Sequence, residues 1–462
     1  MVDPCSTAIT FAHQNRDLFL NKLIELLRIP SVSTDPVYLP DMTRAAKWLA
    51  EELSGMDFSN VNVFDTDKHP IVYGELLGAG PTAPTVLVYG HYDVQPAEPI
   101  ELWKTDPYQP TIIGENLYAR GASDMKGQVM ASLSAVRSIL SSNGINVNIK
   151  YLIEGEEEIG SPSLGKFLGQ HQELLKCDFA LNPDAGMIAA DTPTIVYGLR
   201  GLAYFELKVT GPSHDLHSGL FGGVVHNPAI VLADLISGMH DESGRITLPG
   251  FYDSVLPLSK EEKSSIEQLP MTEEYYRNNT GAPQLWGESG YSPAERVGVR
   301  PTLDVNGMIS GFTGEGSKTV IPSWAMAKIS MRLVPNQDPN EVHDQLRRYL
   351  EQSAPSTITW ELTEMAGAPA CITDRTQPAV HALAASLETV WGKPPLYKRE
   401  GGSIPVVLAM QKILGVDSVL TGFGLPDDNL HSPNEKLHLP TWFSGIDSLI
   451  HFFFNLSGSI KD

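Results

Sequence analysis

The sequence predicts an α/β protein in which a mostly parallel sheet domain is interrupted by an inserted ferredoxin-like α/β sandwich. Three observations predict this fold. Short apolar runs alternate with helical patterns in the first part of the chain, as in a parallel sheet covered on both faces. From about residue 199 the strands alternate between apolar and polar residues, as half-exposed strands do. After about residue 372 the buried pattern returns, so the chain leaves the first domain and comes back to it.

The first part of the sheet domain is assigned to residues 1–198. Helical spacing of apolar side chains predicts helices over 17–29 and 43–53. QVMASLSAVRSIL (128–140) predicts an amphipathic helix that connects two strands of the sheet. The apolar runs that predict buried strands are TVLVYG (85–90), VNIKYLI (147–153) and DFALN (178–182).

The inserted domain is assigned to residues 199–371. It contains two β-α-β-like units, which favour a ferredoxin-like sandwich acting as a lid or dimerisation domain. Its predicted strands and helices, in chain order, are GLAYFELKVTG (201–211), a helix over 227–240, AMAKISMRLVP (325–335), a helix over 339–352, and a closing strand TITWELT (357–363).

Residues 372–462 complete the sheet domain. The buried pattern that returns there consists of AVHALAASLETVW (379–391), VVLAM (406–410), DSVLTGFG (417–424) and a final helix near 441–456.

Composition and charge restrict the classes of function. The formal net charge of −22 argues against nucleic acid and against an anionic membrane as a partner. Three widely separated cysteines offer no disulfide framework, which favours a reducing compartment. The first residues lack a basic stretch followed by an apolar one, and no apolar run reaches the length of a membrane span. We therefore expect a cytoplasmic protein.

Acidic residues and histidines follow four predicted buried strands directly. In an open parallel sheet, ligands bind in the crevice beyond the carboxyl ends of the strands, so these side chains are expected to meet there. A fifth cluster precedes the helix over 128–140 and faces the same edge. The five clusters are HYD (91–93), EGEEE (154–158), PDAG (183–186), LPDDNLHS (425–432) and GASDMKG (121–127).

Each cluster taken alone has a structural interpretation. The His-x-Asp pair His91 and Asp93 suits a metal ligand with an orienting carboxylate, but also two loop residues at a strand end. Asp124 suits a ligand or a helix N-cap. Glu157 and Glu158 suit a proton acceptor beside a ligand, or a solvated acidic loop. Together with Asp184 and His431, which alone could be structural, they fit a hydrolytic site for two metal ions.

A series of motifs resembles the aminoacylase, glutamate carboxypeptidase and carnosinase family of dinuclear zinc peptidases, in particular its cytosolic dipeptidase and carnosinase branch. The motifs occur in the order found in that family. They are GHYDVQP (90–96), ARGASDMKG (119–127), EGEEEIGS (154–161), DLHSG (215–219), KTVIP (318–322), RLVPN (332–336), REGGSIP (399–405) and HSPNEKL (431–437).

The resemblance implies two Zn²⁺ ions per subunit, with Mn²⁺ or Co²⁺ also compatible with such N/O ligands. It implies a cis peptide bond after the bridging aspartate, between Asp124 and Met125. The implied ligands are His91 and Asp184 for one ion, Glu158 and His431 for the other, and Asp124 as the bridge between them.

The resemblance also implies roles for residues that do not bind metal. Glu157 is the expected general base and Asp93 the residue that orients His91. His217 is expected to donate a hydrogen bond to the reaction's oxyanion in the other subunit of a homodimer. The residues expected to contact the substrate are His217, Thr319, Arg332, Gly402 and Ser403, with Arg332 and Thr319 receiving its terminal carboxylate. No role follows for Glu154 or Glu156.

The function implied by the resemblance is hydrolysis of dipeptides with a free C-terminal carboxylate. In the implied mechanism a metal-bridged water attacks the amide carbon, and Glu157 accepts the proton of that water. Two alternatives stay open from the sequence: an N-acyl-amino-acid amidohydrolase with the same machinery, and a non-catalytic metal-binding protein. The sequence does not select the side chains of the dipeptide.

Overall fold

The computed structural model describes residues 3–142, 144, 147–402 and 404–459, and for 457–459 it describes the backbone alone. The chain forms two compact units. The first comprises the described residues of Met1–Tyr197, Thr373–Tyr397 and Pro405–Asp462, and the second those of Gly198–Ile372 and Lys398–Ile404. The sequence had assigned 398–404 to the sheet domain, whereas the packing of this short segment groups it with the inserted one.

The α-helices of the described residues are α1 (Pro4–Gln14), α2 (Arg16–Leu27), α3 (Leu39–Ser54), α4 (Lys126–Leu140), α5 (Leu164–Gln170), α6 (Gln172–Leu175), α7 (Ser218–Phe221), α8 (Pro228–Ser237), α9 (Lys260–Glu267), α10 (Glu273–Thr280), α11 (Pro293–Gly298), α12 (Pro339–Ser353), α13 (Pro378–Trp391), α14 (Pro405–Ala409) and α15 (Leu439–Ser459). Short 3₁₀-helices occur at Pro36–Tyr38, Ile100–Leu102 and Glu157–Ile159, and one turn of π-helix at Met410–Leu414.

The strands are β1 (Ser59–Phe64), β2 (Ile71–Leu76), β3 (Thr85–His91), β4 (Thr111–Ile113), β5 (Asn116–Tyr118), β6 (Asn148–Glu154), β7 (Phe179–Asn182), β8 (Thr194–Leu199), β9 (Gly201–Thr210), β10 (Leu216–His217), β11 (Thr302–Ser310), β12 (Val320–Ile321), β13 (Trp324–Leu333), β14 (Thr359–Ala368), β15 (Cys371–Ile372), β16 (Leu396–Glu400), β17 (Ser418–Leu420) and β18 (Lys436–His438).

The first unit is built on a twisted sheet with the strand order β1-β2-β6-β3-β7-β17-β8. Its centre is parallel, because β3 pairs in parallel with both β6 and β7, and β7 pairs in parallel with β17. The strands β1, β2 and β8 are antiparallel additions at the edges. The carboxyl ends of β6, β3, β7 and β17 therefore lie along one edge. This arrangement confirms the predicted mostly parallel α/β sheet.

The central strands are rich in apolar residues, and the buried polar residues of β6 are hydrogen-bonded, for example Asn148 to the backbone oxygen of Gly80 and Lys150 to that of Leu174. Every residue of β6, β7 and β17 is buried, as is all of β3 after Thr85. Helix α4 is buried on nearly all its faces, since it packs between β3 and the helices α1, α2 and α15. Gly90 in β3 permits this close packing: a Cβ there would lie 2.6 Å from the Val129 side chain of α4.

The second unit contains a four-stranded antiparallel sheet in the order β11-β13-β9-β14. In chain order its elements run β9, α8, β11, β13, α12, β14, which is the βαββαβ pattern of ferredoxin-like sandwiches. Alternate residues of β9 and β13 are buried and pack against α8 and α12. Strand β11 was not predicted, because its polar residues interrupt the alternation on which a strand assignment depends.

Within the described ranges, the helices are all too short or too polar to cross a bilayer.

Candidate metal centre

The predicted ligand residues meet at the carboxyl edge of the first unit's sheet. His91 is the last residue of β3, and Glu158 lies in the 3₁₀ turn that follows β6. Asp184 comes just after β7, Asp124 lies in the loop that leads into α4, and His431 lies in the loop between β17 and β18. Residues separated by more than three hundred positions are thus brought together because parallel strands end on the same side.

The ligand atoms form two groups that share one carboxylate. One group is His91, Asp124 and Asp184, the other is Asp124, Glu158 and His431, and within each group the atoms lie within 4.8 Å of one another. His91 Nε2 lies 3.2 Å from Asp124 Oδ1 and 3.8 Å from Asp184 Oδ2. His431 Nε2 lies 2.9 Å from Asp124 Oδ2 and 3.3 Å from Glu158 Oε2. The two oxygens of Asp124 therefore point to different groups.

These separations test whether the residues fit metal ions. Ligand atoms bound at about 2.0–2.2 Å to a tetrahedral ion lie about 3.3–3.6 Å apart. The four separations between 2.9 and 3.8 Å bracket that value. Imidazole nitrogens and carboxylate oxygens are ligands that zinc accepts, and that manganese and cobalt also accept. Each of the two groups would therefore suit a divalent cation, and Asp124 could contribute one oxygen to each group.

Asp93 supports both sides of the site. Its side chain is fully buried, and its carboxylate accepts hydrogen bonds from the backbone N–H groups of Glu157 (3.2 Å) and Glu158 (3.0 Å). Its Oδ1 lies 3.4 Å from His91 Nδ1, and its backbone oxygen lies closer to that nitrogen, at 3.0 Å. One carboxylate thus fixes the turn that carries two glutamates and flanks the ring of a histidine.

Further contacts hold individual ligands. Gln95 donates a hydrogen bond to Glu158 Oε2 at 2.8 Å, and this contact orients the Glu158 carboxylate. The side chain of Asn182 accepts from the backbone N–H of Asp184 at 2.9 Å. His431 adopts a positive φ of 59°, and its side chain is about half exposed, so this candidate ligand is accessible to solvent.

The electrostatics of the cluster are those of buried acids around two histidines. Burial raises the pKa of Glu157 to about 8, against the opposing effect of His91, and burial likewise raises the pKa of Asp184 to about 7. Hydrogen bonds that His431 donates to the carboxylates of Asp124 and Glu158 raise the pKa of His431 to about 10. Burial alone would raise the pKa of Asp124, yet the two histidines hold it below its usual range. Such an excess of carboxylate is stabilised by a cation.

The four glutamates of the EGEEE segment form two pairs with different surroundings. Glu154 is buried, and its Oε1 accepts from Tyr89 (2.8 Å) and Ser161 (2.9 Å). Glu156 is also buried, and it accepts from Thr66 and from the backbone N–H groups of residues 69 and 163. Glu154 and Glu156 therefore hold the loop. The side chain of Glu158 is only 3% exposed and that of Glu157 is affected by burial and by the charges of the cluster, so a solvated acidic loop does not describe them.

The loop before α4 contains the cis peptide bond between Asp124 and Met125 that the resemblance implied. Sequence reasoning missed the group that holds this loop, the buried carboxylate of Glu435. Glu435 lies in the quoted motif HSPNEKL, four residues after a ligand, but no property of the sequence alone distinguishes it from an exposed loop acid.

The remaining predicted residues lie in the second unit. His217 is on β10, which pairs with β12, and the backbone oxygen of Thr319 accepts from Ser218 at 3.1 Å. Arg332 is half-buried in β13, opposite Thr302 of β11. Gly402 is exposed. Ser403 lies outside the described residues.

Comparisons with known proteins give one consistent result. Residues 87–455 match the model described as peptidase family M20/M25/M40. The Cys-Gly metallodipeptidase of Candida albicans is 32% identical over 94% of this chain and 94% of its own length. The human Beta-Ala-His dipeptidase is 32% identical over 96% of this chain and 91% of its own. A solved M20 family metallo-carboxypeptidase from Sulfolobus solfataricus is 35% identical, with a TM-score of 0.84 over 95% of this chain and 99% of that one.

Proposed function

We propose, from the premise that this chain belongs to peptidase family M20/M25/M40, that it is a metal-dependent dipeptidase using two ions and a glutamate base. The observation that carries the proposal is the pair of ligand groups that share Asp124, beside a half-buried Glu157 that belongs to neither group. Relatives named as Cys-Gly and Beta-Ala-His dipeptidases support dipeptides as the class of substrate.

Glu157 is the proposed general base. Two divalent ions, when bound, supply a water of lowered pKa and a Lewis acid for the scissile carbonyl. Asp93 fixes the backbone of Glu157 through the 3.2 Å hydrogen bond. The carboxylate of Glu157 lies close enough to His91, Asp184 and Asp124 for their charges to act on its pKa. Glu157 takes the proton from the attacking water and delivers it to the departing amine. Zinc is the proposed ion, and Mn²⁺ and Co²⁺ are alternatives that accept the same imidazole and carboxylate ligands.

His217 is the proposed hydrogen-bond donor to the oxyanion, acting in the site of a second copy of the chain. The backbone N–H of Gly219 donates to His217 Nδ1 at 3.0 Å. A nitrogen that accepts a hydrogen bond carries no proton, so the neutral ring keeps its proton on Nε2. The exposed ring therefore presents an N–H donor, the group that an oxyanion requires.

Arg332, together with Thr319, is the proposed receptor of the substrate's terminal carboxylate, and Gly402 and Ser403 are proposed to contact the substrate as well. A guanidinium can bind a carboxylate through two parallel hydrogen bonds, which selects a free carboxyl group over an amide. This preference separates a dipeptidase from an enzyme that cleaves inside longer chains.

A substrate panel tests the proposal. Purified protein, stripped of metal and reloaded with Zn²⁺, Mn²⁺ or Co²⁺, is assayed with Cys-Gly, β-alanyl-histidine, an ordinary α-dipeptide and an N-acetyl-amino acid. Metal-dependent hydrolysis of at least one dipeptide is expected. Faster hydrolysis of the N-acetyl substrate would instead identify an amidohydrolase. Bound metal without hydrolysis of any substrate would identify a non-catalytic metal-binding protein.

A further inference from the structure

Glu435 is a buried carboxylate that lies behind the ligand cluster and contributes to neither ligand group. Its Oε2 accepts from the backbone N–H of Gly121 and from Arg120 Nη1, both at 2.8 Å. Its Oε1 accepts from the backbone N–H groups of Ser123 (3.0 Å) and Asp124 (3.1 Å). Both oxygens are thus engaged with the loop that ends in the bridging aspartate.

The backbone of Glu435 makes a further connection to the same loop. Its carbonyl oxygen accepts from Ala119 N at 3.1 Å, next to the pairing of β18 with β5. Glu435 also lies four residues after His431, within one short loop segment. The residue therefore joins the segment that carries Asp124 to the segment that carries His431, which are the bridging and terminal ligands of one group.

Arg120 extends this connection to the third ligand segment. Its guanidinium is buried, donates to Glu435, and donates through Nη2 to the backbone oxygen of Pro96 at 3.1 Å. Pro96 follows the segment that carries His91 and Asp93. The Glu435–Arg120 pair therefore contacts the loops of three ligands without contacting a ligand atom.

We propose that Glu435 is a positioning residue that sets the bridging carboxylate Asp124 relative to His431, and so controls the affinity of the site for its pair of ions. The inference rests on the proposed two-ion function. Groups that orient metal ligands through hydrogen bonds typically change metal affinity or activity by about 10–100-fold when they are mutated. Glutamine cannot replace Glu435, because its single oxygen serves one pair of donors while its NH₂ group would face the other pair.

The test measures Zn²⁺ binding to the metal-free, full-length protein by competition with a chromophoric chelator. The variant is Glu435→Gln, and the matched control is Glu288→Gln. Glu288 is another buried carboxylate, which accepts from Arg300 and Arg245 in the second unit. Thermal unfolding of the metal-free proteins records the loss of stability that any buried carboxylate causes when it is replaced.

The expected result is that Glu435→Gln weakens binding of at least one ion by about 10-fold or more, whereas Glu288→Gln leaves both affinities unchanged. If Glu435→Gln lowers the melting temperature but binds both ions as tightly as the wild type, Glu435 is merely structural and the inference is overturned. A wild type that binds no pair of ions would refute the proposed function itself, which is a distinguishable result.

A second variant covers the case in which Glu435→Gln does not fold. Glu435→Asp retains the charge but withdraws the carboxylate by one methylene, so it should weaken Zn²⁺ binding in the same direction and by less. Unchanged affinity in Glu435→Asp would overturn the inference. Failure of both variants to fold would likewise assign Glu435 to folding and not to positioning.

Discussion

Replacing Glu157 by glutamine separates proton transfer from metal binding. Glutamine has nearly the same shape as glutamate, but it does not accept a proton at neutral pH. Glu157 contributes no atom to either ligand group, and its backbone is held by Asp93 whatever its side chain. The substitution should therefore leave the ligands in place and remove the base.

The magnitude follows from the role. A positioned general base contributes about 10²–10⁴-fold to a rate, which corresponds to about 2.7–5.5 kcal/mol of transition-state stabilisation. We expect Glu157→Gln to lower kcat for Cys-Gly by about 10²–10⁴-fold. KM should change little, because Glu157 is proposed to contact the attacking water and not the carboxylate of the substrate.

The assay combines turnover with metal analysis, and the neighbouring residue supplies the control. Glu158 carries the same side chain one position later but belongs to a ligand group, with Oε2 3.3 Å from His431 Nε2. Glu157→Gln is expected to retain two ions per chain and lose turnover. Glu158→Gln is expected to lose both an ion and turnover. Mass spectrometry of the metal content distinguishes the two variants.

Two results would refute this reasoning. If the turnover of Glu157→Gln stays within about threefold of the wild type, the loss of rate is far smaller than the contribution of a general base. That result would exclude Glu157 as the base. Loss of metal from Glu157→Gln, at the level seen in Glu158→Gln, would show that Glu157 is a ligand and that the two groups are wrongly divided.

Three further predictions concern the support of the site, the buried acids and the substrate. Asp93→Asn retains one acceptor oxygen for two backbone donors, so Zn²⁺ affinity measured by chelator competition should fall by about 10–100-fold; unchanged affinity would exclude Asp93 as a support. Burial raises the pKa of Glu154 from 4.5 to about 8, so in metal-free protein its contribution to stability is present at low pH and is lost as pH rises through that range. Between these two pKa values, the free energy of unfolding of Glu154→Gln should therefore rise relative to that of the wild type by up to about 1.4 kcal/mol per pH unit, as measured by urea unfolding. If the free energies of unfolding of the two proteins change with pH in the same way, this prediction is wrong. Arg332→Lys should lower kcat/KM for a dipeptide by about 10–100-fold while the rate on the dipeptide amide stays the same, and an equal loss on both would exclude carboxylate recognition.

Much of the central sheet could be predicted because its strands are recognisable in the sequence as apolar runs. TVLVYG and VNIKYLI match β3 and β6, since strands buried on both faces are rich in apolar residues. The edge strand β1 was missed because SNVNVF is largely exposed and polar. The N-terminal helix α1 was missed as well. VVLAM forms α14 and the start of a π-helical turn, which periodicity over five apolar residues could not specify.

The candidate site divides in the same way. The convergence of His91, Glu158 and Asp184 could be predicted because acids and histidines that follow buried parallel strands meet at one edge of the sheet. Glu435 could not, because its importance depends on a loop more than three hundred residues away that only the folded chain brings into contact. Glu156 was unassigned for the same reason, since two of its hydrogen-bond donors, Thr66 and His69, lie 90 and 87 residues away in the sequence.

The most direct test of the two-ion site is a crystal structure of the Zn²⁺-reconstituted protein with anomalous data collected at the zinc edge. The proposal predicts two anomalous peaks separated by about 3.5–4 Å. One peak should lie among His91, Asp124 and Asp184, and the other among Asp124, Glu158 and His431. A single peak, or peaks away from Asp124, would contradict the proposed site.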